Sequence, residues 1–217
     1  MPAAAVSHKA AIAEHILPVV TKPSRYIAGE WNAVAKDPAT AEVRVALAFP
    51  DAYEIGMSHM GLKILYQLLN ARPEILAERV YAPWLDAEAL FRQQRIPLCS
   101  HDSGLPLASF DIVGFTLQYE LSFATILNML DLGAIPIRSS DRDERHPLIV
   151  AGGPVAFAPE PLADFMDAFL IGDGEEAALE LCEVVRECKR AGGSREELLR
   201  AVKGIAGIYV PALHQPG

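Results

Sequence analysis

From about residue 42 onward, short apolar runs alternate with segments of helical periodicity, and this alternation constrains the fold more than any other feature of the chain. Strands that alternate with helices form parallel sheets with helices on both faces. The sequence therefore predicts an α/β fold built on a doubly wound, Rossmann-like parallel sheet of five strands, in the flavodoxin-type order 2-1-3-4-5 with right-handed crossovers. The five predicted strands are Val43–Phe49, Arg79–Ala82, Ile112–Leu117, Leu148–Ala151 and Ala168–Ile171.

The helical segments carry end signals as well as apolar faces. Ser58 is the predicted N-cap of the first helix of the alternating region, and Ser122 is the predicted N-cap of the third. Ser194-Arg195-Glu196-Glu197 has the pattern of a capping box, which predicts a last short helix. A short helix is also predicted at Ala10–Ile16.

The regularity of the predicted secondary structure divides the chain into three parts. Residues 1–40 are predicted to form an irregular lead-in, residues 41–192 the α/β domain, and residues 193–217 a connector. Within the connector, Gly207–Pro211 has the composition of a strand that leads out of the domain. Because the sequence stops soon after this segment, we expect the chain to be a fragment of a longer protein.

Charge and composition exclude some partner classes. The 217 residues carry a net charge of −9, which argues against a nucleic-acid footprint or an anionic membrane surface, since both require basic patches. No apolar run approaches the roughly 20 residues that span a bilayer, and no signal peptide is apparent. The three cysteines, Cys99, Cys182 and Cys188, are too few and too scattered for a disulfide framework, which favours a cytoplasmic location.

Loops with small residues follow several of the predicted strands. Asp51-Ala52-Tyr53-Glu54-Ile55-Gly56 follows the first, Gly152-Gly153-Pro154 the fourth and Gly172-Asp173-Gly174 the fifth. Because parallel strands end at the same edge of a sheet, these loops are expected to surround one ligand-binding crevice. The predicted binding residues are Asp51, Tyr53, Gly56, Thr116, Leu117, Gly152, Gly153, Gly172 and Gly174.

Each signal also has a structural interpretation. Asp51 and Gly56 suit a tight turn, and Thr116 could simply end a strand. His59 is a possible metal ligand but falls in the first turn of a predicted helix. The common phosphate-binding motifs are missing, and the acids of Gly172-Asp173-Gly174-Glu175-Glu176 should repel a nucleotide phosphate.

Four segments together resemble the N-terminal region of the B12-binding radical SAM proteins, in particular an uncharacterised bacterial subfamily. They are Lys22-Pro23-Ser24-Arg25-Tyr26, Phe49 through His59, Val113 through Leu121 and Ile171 through Glu176. The resemblance implies a sheet of the B12-binding type with bound cobalamin. It also implies a following radical SAM barrel, acting as partner in cis or in trans, that holds a 4Fe-4S cluster and S-adenosylmethionine.

Two departures from the family pattern limit what the chain is expected to do. Cobalamin domains carry D-x-H-x-x-G, whose histidine is the lower ligand of cobalt, whereas this chain has Tyr53 at that place. The resemblance therefore implies cobalamin bound base-off without a histidine ligand, its tail packed near Thr116 and Gly152-Gly153. The cluster motif C-x-x-x-C-x-x-C is absent, so the chain alone is expected to hold no metal and to perform no catalysis.

Two rival functions stay open at this point. The first is an interaction or scaffold domain that has the fold without the cofactor. The second is a flavodoxin-like nucleotide or receiver domain, which is disfavoured because phosphate loops are absent and because no lysine directly follows the fifth predicted strand, which ends at Ile171.

Overall fold

The computed structural model describes residues 8–214 and contains a six-stranded sheet of order β2-β1-β3-β4-β5-β6. The first five strands are parallel in the order expected from the sequence, whereas β6 lies antiparallel to β5 at the edge. The sixth strand lies within Gly207–Pro211, which was predicted as a strand that leads out of the domain, but it pairs with the sheet instead of leaving it. The strands are β1 (Val43–Phe49), β2 (Ile75–Tyr81), β3 (Ile112–Thr116), β4 (Leu148–Gly152), β5 (Ala168–Leu170) and β6 (Ile208–Tyr209).

Seven α-helices accompany the sheet within residues 8–214. They are α1 (His8–Ala11), α2 (Tyr53–Gly56), α3 (Met60–Asn70), α4 (Leu85–Gln94), α5 (Phe123–Leu132), α6 (Gly174–Ala191) and α7 (Arg195–Val202). A π-helical turn at Ile12–Ile16 continues α1 within the predicted short helix. Among residues 8–214, none of these helices combines the length and the apolar character that crossing a bilayer requires.

The second strand begins at Ile75, four residues earlier than expected, because two charged residues interrupt its apolar pattern. Glu78 and Arg79 are nonetheless buried, at 3% and 8% exposure. Ser100 and Ser103 donate hydrogen bonds to the Glu78 carboxylate, and Arg79 is paired with Asp102. The segment that supplies these partners covers the outer edge of β2, which protects an edge strand from pairing with other chains.

Two of the three predicted helix caps differ in the structure. His59, not Ser58, caps α3: its Nδ1 accepts a hydrogen bond from the Leu62 amide at 3.2 Å. The Ser58 hydroxyl instead donates to the Ile55 carbonyl, because the short helix α2 precedes it. Ser122 directly precedes α5 but donates to the Tyr119 carbonyl and caps nothing. The capping box at Ser194 is confirmed.

Apolar cores lie on both faces of the sheet, as a doubly wound arrangement requires. Alternate residues of β1 divide between them: Ala46 and Ala48 join one core, while Val45 and Leu47 join the other. The first core includes α4, α5 and Ile16 of the lead-in, and the second includes α3, α6 and α7. The described part of the predicted connector thus contributes Val202, Ile205 and Val210 to the second core and β6 to the sheet.

A buried ion cluster joins α7 to the sheet. Asp167 directly precedes β5, and its side chain is 1% exposed. Its carboxylate accepts from Arg195 at 2.6 Å and from the Ile149 amide at 2.7 Å, and lies 3.2 Å from Arg142. Nε and Nη2 of Arg142 and both Nη atoms of Arg195 also donate to backbone carbonyls, so the cluster fixes the loops around the start of β5.

Candidate functional site

A cavity of about 310 Å³ lies between the sheet and the helix pair α3 and α6. Its floor is formed by β1, β3, β4 and β5, on the face that carries the second core. Apolar side chains form most of its walls, among them Leu65 and Leu69 of α3 and Ala178 and Leu181 of α6. A cavity of this size and lining is typical of a site for a small organic molecule.

The cavity exists because two glycines stand on the same face of neighbouring strands. Gly114 in β3 is paired with Val150 of β4, and Gly152 lies two residues further along β4. A Cβ built on Gly114 would come no closer than 3.9 Å to its nearest neighbour, and one on Gly152 would meet Leu170 at 3.6 Å. Larger residues would fit both backbones but would fill the cavity. Glycine inside a strand commonly marks a place where a ligand approaches closely.

Polar groups gather where the strands end. Thr116 ends β3, and Gln118 follows it in the next loop. Asp173 and Glu175 stand at the start of α6 and make this side of the cavity acidic. A neutral ring system fits the apolar interior, while a phosphate beside the two carboxylates would be repelled.

The structure brings together part of the predicted binding set. Five of the nine residues line the cavity: Thr116, Gly152, Gly153, Gly172 and Gly174. The other four do not line it: Asp51, Tyr53, Gly56 and Leu117.

Tyr53 lies in the first turn of α2 with its side chain held in another cluster. Its hydroxyl donates to Glu30 Oε1 at 2.5 Å, and its ring stacks on His101 with centroids 4.9 Å apart. Burial and the Glu30 carboxylate raise the pKa of Tyr53 to about 12. A neutral phenol that is already hydrogen-bonded is a poor metal ligand, and Tyr53 lies outside the lining of the cavity.

Asp51, Gly56 and Leu117 have structural roles at the same edge of the sheet. Asp51 accepts from the Ala52 amide and from the Tyr119 hydroxyl, which links the loops after β1 and β3. Gly56 leaves room for Tyr81, whose ring carbons would lie 2.6 Å from a Cβ at this position.

Gly153 is required by the fold itself. Its φ is +116°, and a Cβ there would lie 2.7 Å from the carbonyl oxygen of Leu117. The Leu117 amide in turn donates to the Gly152 carbonyl at 2.7 Å, so the loops after β3 and β4 are in direct contact. Substitution of Gly153 would therefore disturb this contact before it affected a ligand.

His59 lines the cavity and also caps α3. Since Nδ1 accepts the Leu62 amide proton, the proton of the neutral imidazole is assigned to Nε2. The protonated nitrogen is a hydrogen-bond donor and has no lone pair for a metal. His59 thus suits a ligand with an acceptor atom rather than a cobalt ion.

Gly114, Gln118 and the cavity walls were not predicted from the sequence. Gly114 carries a readable signal, since it interrupts the apolar run of a central strand. Within residues 8–214, no group of three or more potential metal ligands occurs. Cys182 lines the cavity, and burial raises the pKa of its thiol to about 12, so it contributes as a small apolar group.

Comparison with known proteins identifies one family. A family model described as radical SAM proteins, N-terminal, matches residues 61–211, which include β2 to β6 and most of the cavity lining. No curated protein and no solved structure matches the chain. Since the match covers well over half of the sequence, the chain belongs to the family of N-terminal regions of radical SAM proteins.

Proposed function

We propose that the cavity between the sheet and the helices α3 and α6 holds the aromatic base of the nucleotide tail of a cobalamin-type cofactor, with the phosphodiester of the tail directed away from Asp173 and Glu175. The observation that supports this most is the pair of glycines, Gly114 and Gly152. They leave an apolar space between the central strands of the sheet and the helices that cover them. A flat aromatic base fits such a space, since it gains apolar contacts along both faces. Thr116 and the His59 Nε2 proton offer hydrogen bonds to the polar atoms of the tail.

The residues present fit the tail but provide no lower ligand. Tyr53 is hydrogen-bonded to Glu30 and neutral, and His59 directs its free lone pair at its own helix. We therefore propose base-off binding without a protein ligand on cobalt. Cobalamin, when bound, supplies a cobalt centre that carries methyl groups or electrons. The chain's own contribution is to bind the tail, exclude water from it and orient the cofactor.

Filling the cavity floor tests this proposal. We expect Gly114→Ala to weaken hydroxocobalamin binding by about tenfold, and Gly114→Leu to abolish it, because each added carbon occupies space that the tail needs. Binding is measured by titration followed in the visible spectrum.

Chemical denaturation is the control for this series. A Cβ at Gly114 meets no atom closer than 3.9 Å, so the free energy of unfolding should be unchanged or higher. Thr116→Val, which keeps the shape and removes one hydroxyl, should weaken binding by only a few-fold. Wild-type affinity in a stably folded Gly114→Leu variant would show that the tail does not enter this cavity.

The partner we propose is the radical SAM domain, in cis or in trans. Large apolar side chains stand exposed on the loops and helix starts that follow β1 to β4, at the edge where the cavity lies, and together they form an apolar rim. An exposed apolar surface of this kind favours a protein partner. The side chains are Ile55, Met60, Trp84, Leu85, Tyr119, Leu121 and Phe157.

A charge placed on this rim tests the partner proposal. Leu121 is 88% exposed, so Leu121→Asp should leave folding intact. We expect it to weaken association with the separately produced radical SAM domain at least tenfold, measured by calorimetry. Trp31→Asp, a change at a 94% exposed apolar side chain of the lead-in outside this set, should have little effect. If both variants weaken the association equally, the exposed apolar surface is not the binding site for the radical SAM domain.

The second candidate function is a cofactor-free interaction domain, which the same exposed rim favours. It predicts that the wild-type chain associates with the radical SAM domain but does not bind hydroxocobalamin at millimolar concentration. The 4Fe-4S cluster and S-adenosylmethionine are proposed for the radical SAM domain alone. The cytoplasmic location expected from the cysteine content also stays a prediction.

A further inference from the structure

A second cavity, of about 40 Å³, lies beside the loop that follows β2 and shares no lining residue with the first. Tyr53, Tyr81 and His101 line it, together with Tyr26, Arg25 and Ser100. The three aromatic rings are in mutual contact: Tyr53 stacks on His101, and Tyr81 meets both rings edge-on. None of the functions proposed above uses this cavity.

Two buried polar atoms at this cavity have no hydrogen-bonding partner among the described residues. They are the hydroxyl oxygen of Tyr81 and Nε2 of His101. Tyr81 is 7% exposed, and the His101 side chain is 4% exposed. A buried polar group without a partner costs about 1–3 kcal/mol, so two such atoms at one small cavity, unpaired among residues 8–214, favour water as their partner.

A third polar atom lies at the same place. Glu30 Oε1, from the lead-in, is 3.6 Å from His101 Nε2, which is too long for a direct hydrogen bond. A water that binds both atoms would lie to one side of the line that joins them, because two hydrogen bonds of about 2.8 Å do not fit end to end in this distance. The same Glu30 carboxylate accepts from Tyr53 and is paired with Arg79, so it already joins the lead-in to α2 and β2.

The cavity volume sets the size of the occupant. A buried water needs about 10–15 Å³, so a 40 Å³ cavity holds two or three molecules. A larger organic molecule does not fit. Burial raises the pKa of Tyr81 and lowers that of His101, so both side chains are neutral near pH 7 and both can bind water.

We propose that this cavity is a hydration site in which two or three ordered waters connect Tyr81, His101 and Glu30. These waters are a structural part of the contact between the lead-in and the domain. The Tyr53 hydroxyl donates to the same Glu30 carboxylate, and its ring stacks on His101. The contact therefore also fixes Tyr53 in its position outside the larger cavity.

The direction in which one substitution changes the unfolding equilibrium constant tests this proposal. Tyr81→Phe keeps the ring and removes only the hydroxyl. If water satisfies that hydroxyl, the variant loses a hydrogen bond, and we expect the unfolding equilibrium constant to rise about fivefold. If the cavity is dry, the variant removes an unpaired buried group, and the constant should fall about tenfold. Denaturant titration of both proteins gives the ratio, and an unchanged or lower constant overturns the proposal.

Tyr66→Phe calibrates the measurement. The Tyr66 hydroxyl accepts from the Val34 amide at 2.8 Å and is likewise buried, so its removal reports the cost of losing a satisfied phenol. A high-resolution crystal structure supplies an independent readout. Ordered density within hydrogen-bonding distance of Tyr81 and His101 is expected in the wild-type protein. A cavity without such density, or one filled by a rearranged side chain, contradicts the proposal.

Discussion

Replacing Asp167 with asparagine is expected to lower the free energy of unfolding by about 3–5 kcal/mol. The carboxylate lies against the guanidinium groups of Arg142 and Arg195, both almost fully buried. Removing its charge leaves two buried cations with only backbone carbonyls as partners. Burial lowers the pKa of Arg142, and the Asp167 carboxylate opposes this effect by favouring the charged guanidinium.

Urea denaturation of the wild-type and variant proteins measures this loss. Asp164→Asn is the matched control, because Asp164 pairs with Arg138 at the surface and is 72% exposed. Its loss should cost at most about 1 kcal/mol. If both variants lose the same small amount, the buried cluster does not stabilise the loops around β5 as described.

Gly153→Ala is expected to destabilise the domain by about 2–6 kcal/mol, whereas Gly152→Ala should change stability by less than about 1 kcal/mol. The first substitution forces a Cβ to within 2.7 Å of the Leu117 carbonyl at a φ of +116°. The second places its Cβ at an ordinary contact distance of 3.6 Å from Leu170.

The two variants should also differ in binding. Gly152→Ala projects into the larger cavity and is expected to weaken hydroxocobalamin binding about tenfold while the protein stays folded. Thermal unfolding and the visible titration together separate the two roles. Equal stability of the two variants would contradict the assignment of Gly153 to the fold and Gly152 to the site.

The alternation of apolar runs and helical segments in the sequence was sufficient to predict the five parallel strands and their order. Val43–Phe49 reads as a buried strand because nearly all its residues are apolar, and the structure agrees. The start of β2 was missed because Glu78 and Arg79 are buried by partners more than 20 residues away, which no local pattern reveals. The edge strand β6 is only two residues long and is defined by its pairing with β5.

The position of Tyr53 depends on contacts that are remote in sequence. Its spacing from Asp51 and Gly56 suggested a place in the crevice, but Glu30 and His101 hold the side chain elsewhere. The lead-in therefore does more than precede the domain, since it determines which residues of the first loop remain available. Gly114 could have been recognised from its place inside a central strand, whereas the helices that enclose its cavity could not.

The central claim is that the cavity floored by Gly114 and Gly152 receives the tail of a cobalamin-type cofactor without a histidine on cobalt. The most direct measurement is titration of the wild-type and Gly114→Leu proteins with hydroxocobalamin, followed in the visible spectrum. We predict saturable binding by the wild-type protein, with the spectrum of a base-off cofactor lacking a histidine ligand, and no binding by the variant. The absence of wild-type binding, a histidine-ligated spectrum, or equal binding by both proteins would contradict the claim.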